Sequence, residues 1–241
     1  MTIKILVTFT AKYIFSSLAH GTAIKYNRYI ILTEGVICMA VKNIIFDIGN
    51  VLVDFRWRDY MRDLGINDEA AKVLGDKMVL DPYWGELDRG TLPQAEIVAE
   101  FKRRLPDYTR EIDLYWRDTT EMVAAREGSG EWVKSYKDRG FGIYLLSNYP
   151  RELFERHTKH FRFLPYVDGR VVSYEVNYIK PEPDIYKALL EKYSLCADEC
   201  VFIDDNENNI KGAREMGIHA VLYKTREQVI DEVERIIKEN R

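Results

Sequence analysis

From Phe141 onward, short apolar runs of strand length alternate with segments of helical periodicity. This alternation predicts βαβ crossovers, in which the strands form one parallel sheet and helices cover both of its faces. The predicted elements, in chain order, are strand 141–147, helix 150–160, strand 171–173, helix 183–193, strand 200–204, helix 207–216, strand 219–223 and helix 225–239. A further strand is predicted at 43–47, so the sequence favours an α/β fold with a three-layer core around a parallel sheet.

The composition bounds the size of the core and the class of partner. With 241 residues, of which 46% are hydrophobic, the chain can form one α/β domain and a smaller second one. The formal net charge is −4, and Lys and Arg are scattered among Asp and Glu without a basic stripe. This pattern argues against nucleic acid or a membrane surface as a partner and favours a small diffusible molecule. Because no apolar run approaches the roughly 18 residues of a membrane span, we expect a soluble protein. We also expect it to be a monomer or a weak dimer.

The cysteines indicate a reducing environment. Cys38, Cys196 and Cys200 are few and odd in number, and Cys196-x3-Cys200 lacks the further ligands that a zinc site requires. We interpret them as reduced thiols and predict a cytoplasmic protein.

Residues 1–38 do not follow the pattern of the rest of the chain, because Lys4, Lys12 and Lys25 interrupt their apolar runs. A secretory signal would have a cleaner apolar stretch before a cleavage site of small residues, and the sequence around Ala19 is only a faint version of one. Met39, directly before the first strand, resembles a natural start. We therefore interpret residues 1–40 as an N-terminal extension of doubtful relevance, without a role in catalysis.

Residues 57–128 show helical periodicity without strands, broken by Pro82, Pro93, Pro106 and the Gly128-Ser129-Gly130 run. Because this segment directly follows the first strand, we expect it beside the carboxyl ends of the strands, where it can cover a site as a lid. The predicted domains are an α/β core of residues 41–56 and 129–241 and a helical cap of residues 57–128.

The predicted strands deliver polar side chains at their carboxyl ends, where open α/β sheets bind ligands. The first strand ends in Asp47, a second leads to Ser147 and Asn148, and a third leads to Asp204 and Asp205. Each residue type also has a purely structural explanation. Asp47 could be a turn residue, and Ser147 or one of the paired acids could cap the helix that follows.

The residue types at these positions suit a phosphate site with a metal ion. Clustered carboxylates repel one another unless a cation lies among them, and magnesium prefers oxygen ligands, so Asp47, Asp204 and Asp205 predict a magnesium site. Lys180 precedes a proline that forces an extended backbone, so its ammonium is expected to be aimed, although an isolated lysine is usually a solvated surface group. Ser147, between a strand and a helix, can offer its hydroxyl and nearby N–H groups to a phosphate oxygen.

Four motifs, in this order, closely resemble those of the haloacid dehalogenase superfamily: Asp47-x-Gly-x-Val, Leu146-Ser147-Asn148, Lys180-Pro181-x-Pro and Phe202-Ile203-Asp204-Asp205-x3-Asn209. The resemblance covers about residues 42–225. It implies a Rossmann-like core with a helical cap after the first strand, and a magnesium-dependent phosphatase that works through an aspartyl-phosphate. The Asp-x-Gly-Asn-Val variant resembles the sugar-phosphatase branch that includes the bacterial α-D-glucose-1-phosphate phosphatases, and the branch with the phosphatase domain of soluble epoxide hydrolase.

The resemblance also implies roles for the acidic residues. Asp47 would be the nucleophile that attacks phosphorus and forms the covalent intermediate. Magnesium would be held by Asp47, the backbone carbonyl of Gly49 and Asp205. Asp204 would lie behind these ligands or serve as an alternative ligand.

The other motif residues are implied to bind the phosphate. Lys180 and Ser147 would hold the transferring oxygens, and Asn148 would add its N–H. Asn209 stands where many relatives carry another acid.

The chain departs from the family pattern at Gly49, where most family phosphatases carry an acid that protonates the leaving group. Glycine cannot donate this proton, and general acid catalysis is typically worth about 10²- to 10⁴-fold. Substrates with good leaving groups are therefore favoured, which makes a sugar 1-phosphate the preferred hypothesis. Asp54 could replace the missing acid, or it could be a turn residue.

Alternative functions on the same fold differ in what they require of these residues. A non-catalytic binding or regulatory protein would explain Gly49 but leaves the presence of Asp47, Lys180 and the paired acids unexplained. A 2-haloacid dehalogenase also uses an aspartyl ester but needs no metal and usually lacks the paired acids. A phosphomutase depends on the acid that is missing at Gly49.

Substrate specificity is expected to depend on the cap segment 83–90. Trp84 could form a stacking wall for a sugar and Arg89 a polar contact, or Trp84 could pack in the cap and Arg89 be a solvated charge. His157 and His160, three residues apart on a helix, are interpreted as surface groups.

Overall fold

The computed structural model describes residues 24–26, 29–32, 35–37 and 40–240 of the protein. Its strands are β1 (Ile24–Tyr26), β2 (Tyr29–Leu32), β3 (Gly35–Ile37), β4 (Asn43–Phe46), β5 (Val53–Phe55), β6 (Val123–Ala125), β7 (Gly142–Ser147), β8 (Gly169–Val172), β9 (Cys200–Asp204) and β10 (His219–Leu222). Its α-helices are α1 (Trp57–Asp63), α2 (Asp68–Leu74), α3 (Trp84–Arg89), α4 (Gln94–Arg104), α5 (Thr109–Arg117), α6 (Ser129–Asp138), α7 (Arg151–His157), α8 (Ser173–Val176), α9 (Pro183–Lys192), α10 (Glu207–Glu215) and α11 (Arg226–Glu239). Short helical turns of other types cover Gly75–Val79, Pro106–Tyr108, Thr120–Met122, Thr158–His160, Leu164–Tyr166 and Ala197–Glu199.

The predicted α/β fold is confirmed by a five-stranded parallel sheet with the order β10-β9-β4-β7-β8. β4 lies in the middle, where Phe46 is the register partner of Ile203 in β9 and of Leu145 in β7. All residues of β4 and β9 are buried, as expected for strands that helices cover on both faces. Because the strands are parallel and in register, the polar residues that end β4, β7 and β9 lie at one edge of the sheet.

Side chains that alternate along β4 enter two different parts of the core. Ile44 and Phe46 belong to a large apolar cluster that continues into the cap, and Phe46 packs edge-on against Trp132 of α6 at 5.0 Å between ring centroids. Ile45 belongs to a smaller cluster on the other face, with Phe202 of β9. The strand that carries the predicted nucleophile is therefore held on both faces.

The segment between β5 and α6 contains helices α1 to α5, as predicted for the cap, but it ends in a strand. β6 pairs antiparallel with β5, with Asp54 opposite Ala124. The expectation that residues 57–128 contain no strand is therefore wrong. A run of three residues is too short to show a period of two, and only its pairing with β5 makes it a strand. The border between core and cap stays a prediction.

Before the core, β1, β2 and β3 form a separate antiparallel sheet, with Ile24 opposite Ile31 and Ile30 opposite Ile37. The predicted extension, residues 1–40, lies for the most part outside the described residues. No helix among the residues that the structure describes combines the length and the apolar character that crossing a membrane requires.

Candidate active site

Asp47 directly follows β4 and lies at the bottom of a cavity of about 540 Å³ between core and cap. Three donors converge on its Oδ1 atom: the Ile48 N–H at 2.7 Å, the Ser147 hydroxyl at 2.7 Å and the Lys180 ammonium at 2.9 Å. Among the described residues, none donates a hydrogen bond to Oδ2. One oxygen of Asp47 is thus fixed by the protein, and the other is available to a ligand in the cavity.

Ser147 does not cap the helix that follows it. The residue before α7 is Pro150, which makes no side-chain cap, and the Ser147 hydroxyl donates to Asp47 instead. The structural explanation for this serine is therefore wrong, and its hydroxyl lies at the candidate site.

Lys180 lies with 1% of its side chain exposed between two carboxylates, 2.9 Å from Asp47 and 2.6 Å from Asp204. The Asn148 side chain holds its backbone in both directions, accepting from the Lys180 N–H at 2.7 Å and donating to the Lys180 carbonyl at 3.0 Å. Burial alone would lower the pKa of the Lys180 ammonium, but the two carboxylates raise it above its ordinary value. The ammonium therefore stays protonated at neutral pH, and its two carboxylate partners hold it in a fixed direction.

Asp204 is fully buried, and both of its oxygens are engaged. Oδ1 accepts from the Asn206 N–H at 2.8 Å and from the Asn209 amide at 3.0 Å, while Oδ2 accepts from Lys180 at 2.6 Å. Asn206, not either acid, caps α10 by accepting from the Asn208 N–H. Capping therefore does not explain the paired acids, and the contacts of Asp204 place it behind Lys180.

Asp205 lines the cavity and accepts from the Asn50 amide at 3.0 Å. Burial, together with the nearby charge of Asp204, raises its pKa above the ordinary value. Carboxylate oxygens of Asp47, Asp204 and Asp205 lie within 4.8 Å of one another. An all-oxygen cluster of this kind fits a magnesium ion, which would also relieve the repulsion between the acids.

The cap contributes Trp84 to the opposite wall of the cavity. Its ring stacks on that of Trp116 at 5.4 Å between centroids and tilts against Phe55 at 6.4 Å. Trp84 therefore packs in the cap and also lines the cavity, so the two alternatives for this residue are compatible. Further apolar wall residues are Val53, Met122, Val123, Tyr149, Pro150 and Leu153.

Arg89 does not line the cavity. Its guanidinium binds Glu182 through two hydrogen bonds of 2.9 and 2.6 Å and donates to the Asn177 carbonyl at 3.0 Å. The expected substrate contact is not seen, and although Arg89 does lie at the end of a helix, its charge is paired rather than solvated. The residue ties the cap to the core, a contact between distant segments that no local pattern indicates.

The expectation for Asp54 also changes. Its carboxylate forms an ion pair with Arg126, whose guanidinium donates to the Asn50 carbonyl at 2.5 Å as well. Asp54 lies in β5 and is not among the residues that line the cavity. Its geometry therefore does not support a role as the substitute acid.

Sequence reasoning missed Asp88, which lies near the end of α3 and lines the cavity. Burial raises the pKa of its carboxyl group to about 7, and the charge of Asp47 adds to this, whereas Lys180 and the Trp84 indole act in the opposite direction. No signal in the sequence separates Asp88 from neighbouring cap acids. Only the docking of the cap brings it to the site.

His157 was predicted to lie on the surface, but it is fully buried and lines the cavity. Its ring nitrogens contact the Tyr149 hydroxyl at 2.7 Å and the Thr119 carbonyl at 2.8 Å. The base of the cap covers this side of α7, which the periodicity of α7 alone could not reveal. The side chain of His160 lies outside the described part of the chain.

Comparison with known families agrees with this arrangement. The model of the haloacid dehalogenase-like hydrolase family matches residues 41–217. The chain belongs to this family. The resemblance noted from the four motifs is thus confirmed, while the assignment to the sugar-phosphatase branch stays a prediction.

Two relatives of this hydrolase match over most of their length. The chain is 26% identical over 192 residues to a D-ribitol-5-phosphate phosphatase of Bacteroides thetaiotaomicron, covering 73% of this chain and 89% of that protein. It is 24% identical over 181 residues to a sesquiterpene phosphatase of Aspergillus oryzae, covering 75% and 89%. Other relatives are longer proteins, and the matched part of this chain spans 35% of the length of one of them and 13% of the length of another.

A solved structure supports the fold at similar identity. The crystal structure of a HAD family enzyme of Bacteroides thetaiotaomicron, in complex with magnesium and inorganic phosphate, has a TM-score of 0.61 and 25% identity to this hydrolase. The comparison covers 77% of this chain and 96% of that one.

Proposed function

We propose that the protein is a magnesium-dependent phosphatase that hydrolyses a small phosphate monoester through an aspartyl-phosphate intermediate. The observation that carries this proposal is the environment of Asp47. Its Oδ1 atom is held by three donors, while no residue in the described part of the chain donates to its Oδ2 atom, and the cavity also contains the Lys180 ammonium. The phosphatases among the relatives, and the magnesium and phosphate bound by the structural neighbour, support the assignment.

In the proposed reaction Asp47 is the nucleophile. Its Oδ2 attacks phosphorus, the bond to the leaving oxygen breaks, and water then hydrolyses the acyl phosphate and restores the carboxylate. Lys180 and Ser147, already directed at Asp47, hold the phosphate oxygens as charge moves onto them. Asn148 adds its N–H and keeps Lys180 in place through the two hydrogen bonds described above.

Magnesium has a proposed ligand set in the same cluster. Asp47, the Gly49 carbonyl and Asp205 would hold the ion, which supplies the positive charge that lets one anion approach another. Gly49 and Asp205 both line the cavity. Asp204, engaged with Lys180 and Asn209, is the alternative ligand and in this geometry orients the ammonium.

For the substrate we propose a sugar phosphate, such as a sugar 1-phosphate. The cavity suits a molecule of this size, and the aromatic residues Trp84 and Tyr149 line it and could contact a sugar ring. The apolar wall favours a second candidate, the phosphate of an apolar alcohol, consistent with the sesquiterpene phosphatase among the relatives.

The test is phosphate release from sugar 1-phosphates, sugar 6-phosphates and a terpenyl phosphate, with and without magnesium. Wild type is compared with Asp47→Asn and with the matched control Asp76→Asn, an exposed cap residue that pairs with Lys72. We expect magnesium-dependent release that is lost only in Asp47→Asn. A folded wild-type protein that releases phosphate from no substrate would contradict the proposal and favour a binding or regulatory role.

A further inference from the structure

The cap places one carboxyl group in the cavity that contains the proposed nucleophile. Asp88 borders the same space as Asp47 and Lys180, and both of these charged groups act on it. Its neighbour in the cavity wall is Trp84, one turn earlier on α3. The carboxyl group is thus shielded on its cap side and faces the space where a phosphate ester would bind.

The backbone around Asp88 is fastened to the core. The Ser173 hydroxyl donates to the Asp88 carbonyl at 2.5 Å, and the Asn177 amide donates to the Arg89 carbonyl at 2.9 Å. At Gly90 the backbone has a φ of +68°, and a Cβ atom there would lie 2.8 Å from the Tyr174 Cβ. This close approach requires glycine and fixes the end of α3 against α8. Asp88 is therefore held over the cavity by contacts of its own carbonyl and of the two residues that follow it.

Several other groups in or near the cavity are already engaged or have no proton to donate. Gly49 has no side chain, and Asp54 pairs with Arg126 outside the cavity lining. Lys180 lies between two carboxylates. His157 contacts Tyr149 and Thr119 through its two ring nitrogens.

We propose that Asp88 is the general acid of this hydrolase, supplied by the cap in place of the side chain that Gly49 lacks. This role rests on the proposed phosphatase function. When Asp47 attacks phosphorus, the electron pair of the breaking P–O bond goes to the leaving oxygen, which takes the proton of Asp88. The Asp88 carboxylate then accepts a proton from the water that attacks the acyl phosphate, so Asp47 is released and Asp88 is protonated again. The raised pKa of Asp88, about 7, agrees with both half-reactions near neutral pH.

The proposed role of Asp88 is tested by measuring how kcat/KM depends on the leaving group of the substrate. An alkyl phosphate needs a proton on its leaving oxygen, whereas p-nitrophenyl phosphate does not. We expect Asp88→Asn to lower kcat/KM for the alkyl phosphate by about 10²- to 10⁴-fold and to change that for the aryl phosphate little. Asp88→Glu should restore part of the alkyl activity, and Asp76→Asn should leave both substrates unchanged.

The ratio of the two activities separates a catalytic role from a structural one, because a folding defect lowers both substrates together. Equal losses for both substrates, or no loss for the alkyl phosphate, would overturn the role of Asp88 while the phosphatase assignment stands. A selective alkyl loss in Asp54→Asn but not in Asp88→Asn would move the role to Asp54. If wild type hydrolyses neither substrate, the proposed phosphatase function fails, and the role of Asp88 fails with it.

Discussion

Replacement of Lys180 by methionine should destabilise the fold strongly even without a substrate. Lys180 is buried and lies 2.9 Å from Asp47 and 2.6 Å from Asp204. At an effective dielectric constant of about 20, each contact corresponds to a gross attraction of about 6 kcal/mol. Most of this attraction offsets the cost of burying three charges. Removal of one partner, which leaves buried carboxylates without their cation, typically costs about 3 to 5 kcal/mol.

Such a loss is a large part of the roughly 5 to 15 kcal/mol by which folded proteins are stable. For a chain of this length it corresponds to a fall in Tm of roughly 6 to 20 °C. Urea unfolding followed by tryptophan fluorescence, in a chelator that removes divalent cations, measures the free energy of unfolding directly. The matched control is Lys187→Met, because Lys187 is half exposed and lies 3.4 Å from Asp184. Its cost should stay below about 1 kcal/mol.

The loss in free energy of unfolding that Lys180→Met causes, called the deficit below, should also depend on pH. Lys180 lowers the pKa of Asp47, so its removal raises that pKa further in the folded state. A carboxyl group whose folded pKa is raised stabilises the fold at low pH and loses this contribution as pH rises. In the wild type, Lys180 still stabilises the fold at neutral pH, because the raised pKa of its ammonium lies far above neutral pH and the group stays charged. The deficit should thus be smaller at pH 5 than at pH 8, and a deficit equal to that of the control, or one independent of pH, would refute the reasoning.

Four further outcomes are expected. Ser147→Ala removes the hydroxyl 2.7 Å from Asp47 and should lower kcat by about 10²- to 10³-fold in steady-state assays. The control Ser135→Ala, which removes a hydroxyl that donates to the Trp132 carbonyl, should leave kcat near that of the wild type. Magnesium should raise the Tm of wild type in thermal melts, and an equal rise in Asp205→Asn would exclude Asp205 as a ligand. Arg89→Met should speed backbone amide exchange in Trp84–Arg89, whereas Arg103→Met, which loses a pair with Glu100 on the same helix, should not. Because the pKa of Asp88 is raised to about 7 and its protonated form donates, kcat/KM for an alkyl phosphate should fall above that pH, and Asp88→Asn should remove this fall.

Local patterns in the sequence were sufficient for the elements of the core. The strands before Asp47 and Asp204 are buried along their whole length, and the strand before Ser147 is buried over its last three residues, so each was predictable from a short apolar run. Their grouping at one edge followed from the parallel arrangement, since the carboxyl ends of parallel strands meet there. The motif residues could be found for the same reason: each is adjacent to a strand in the chain.

The tertiary structure decided what depends on contacts between distant segments. The strand order, the pairing of Val123–Ala125 with Val53–Phe55 and the docking of the cap through Arg89 and Glu182 leave no local period in the sequence. His157 is buried because the base of the cap covers it, although the sequence of its helix predicts an exposed position.

The sequence by itself thus determined the parallel α/β core and the residues at its strand ends, because hydrophobic period and turn chemistry are local properties of the chain. Only the tertiary structure decided which cap residue meets those strand ends. Asp88 and its neighbouring acids are alike in the sequence, and the position of α3 over the cavity, set by Ser173, Asn177 and Gly90, separates Asp88 from them.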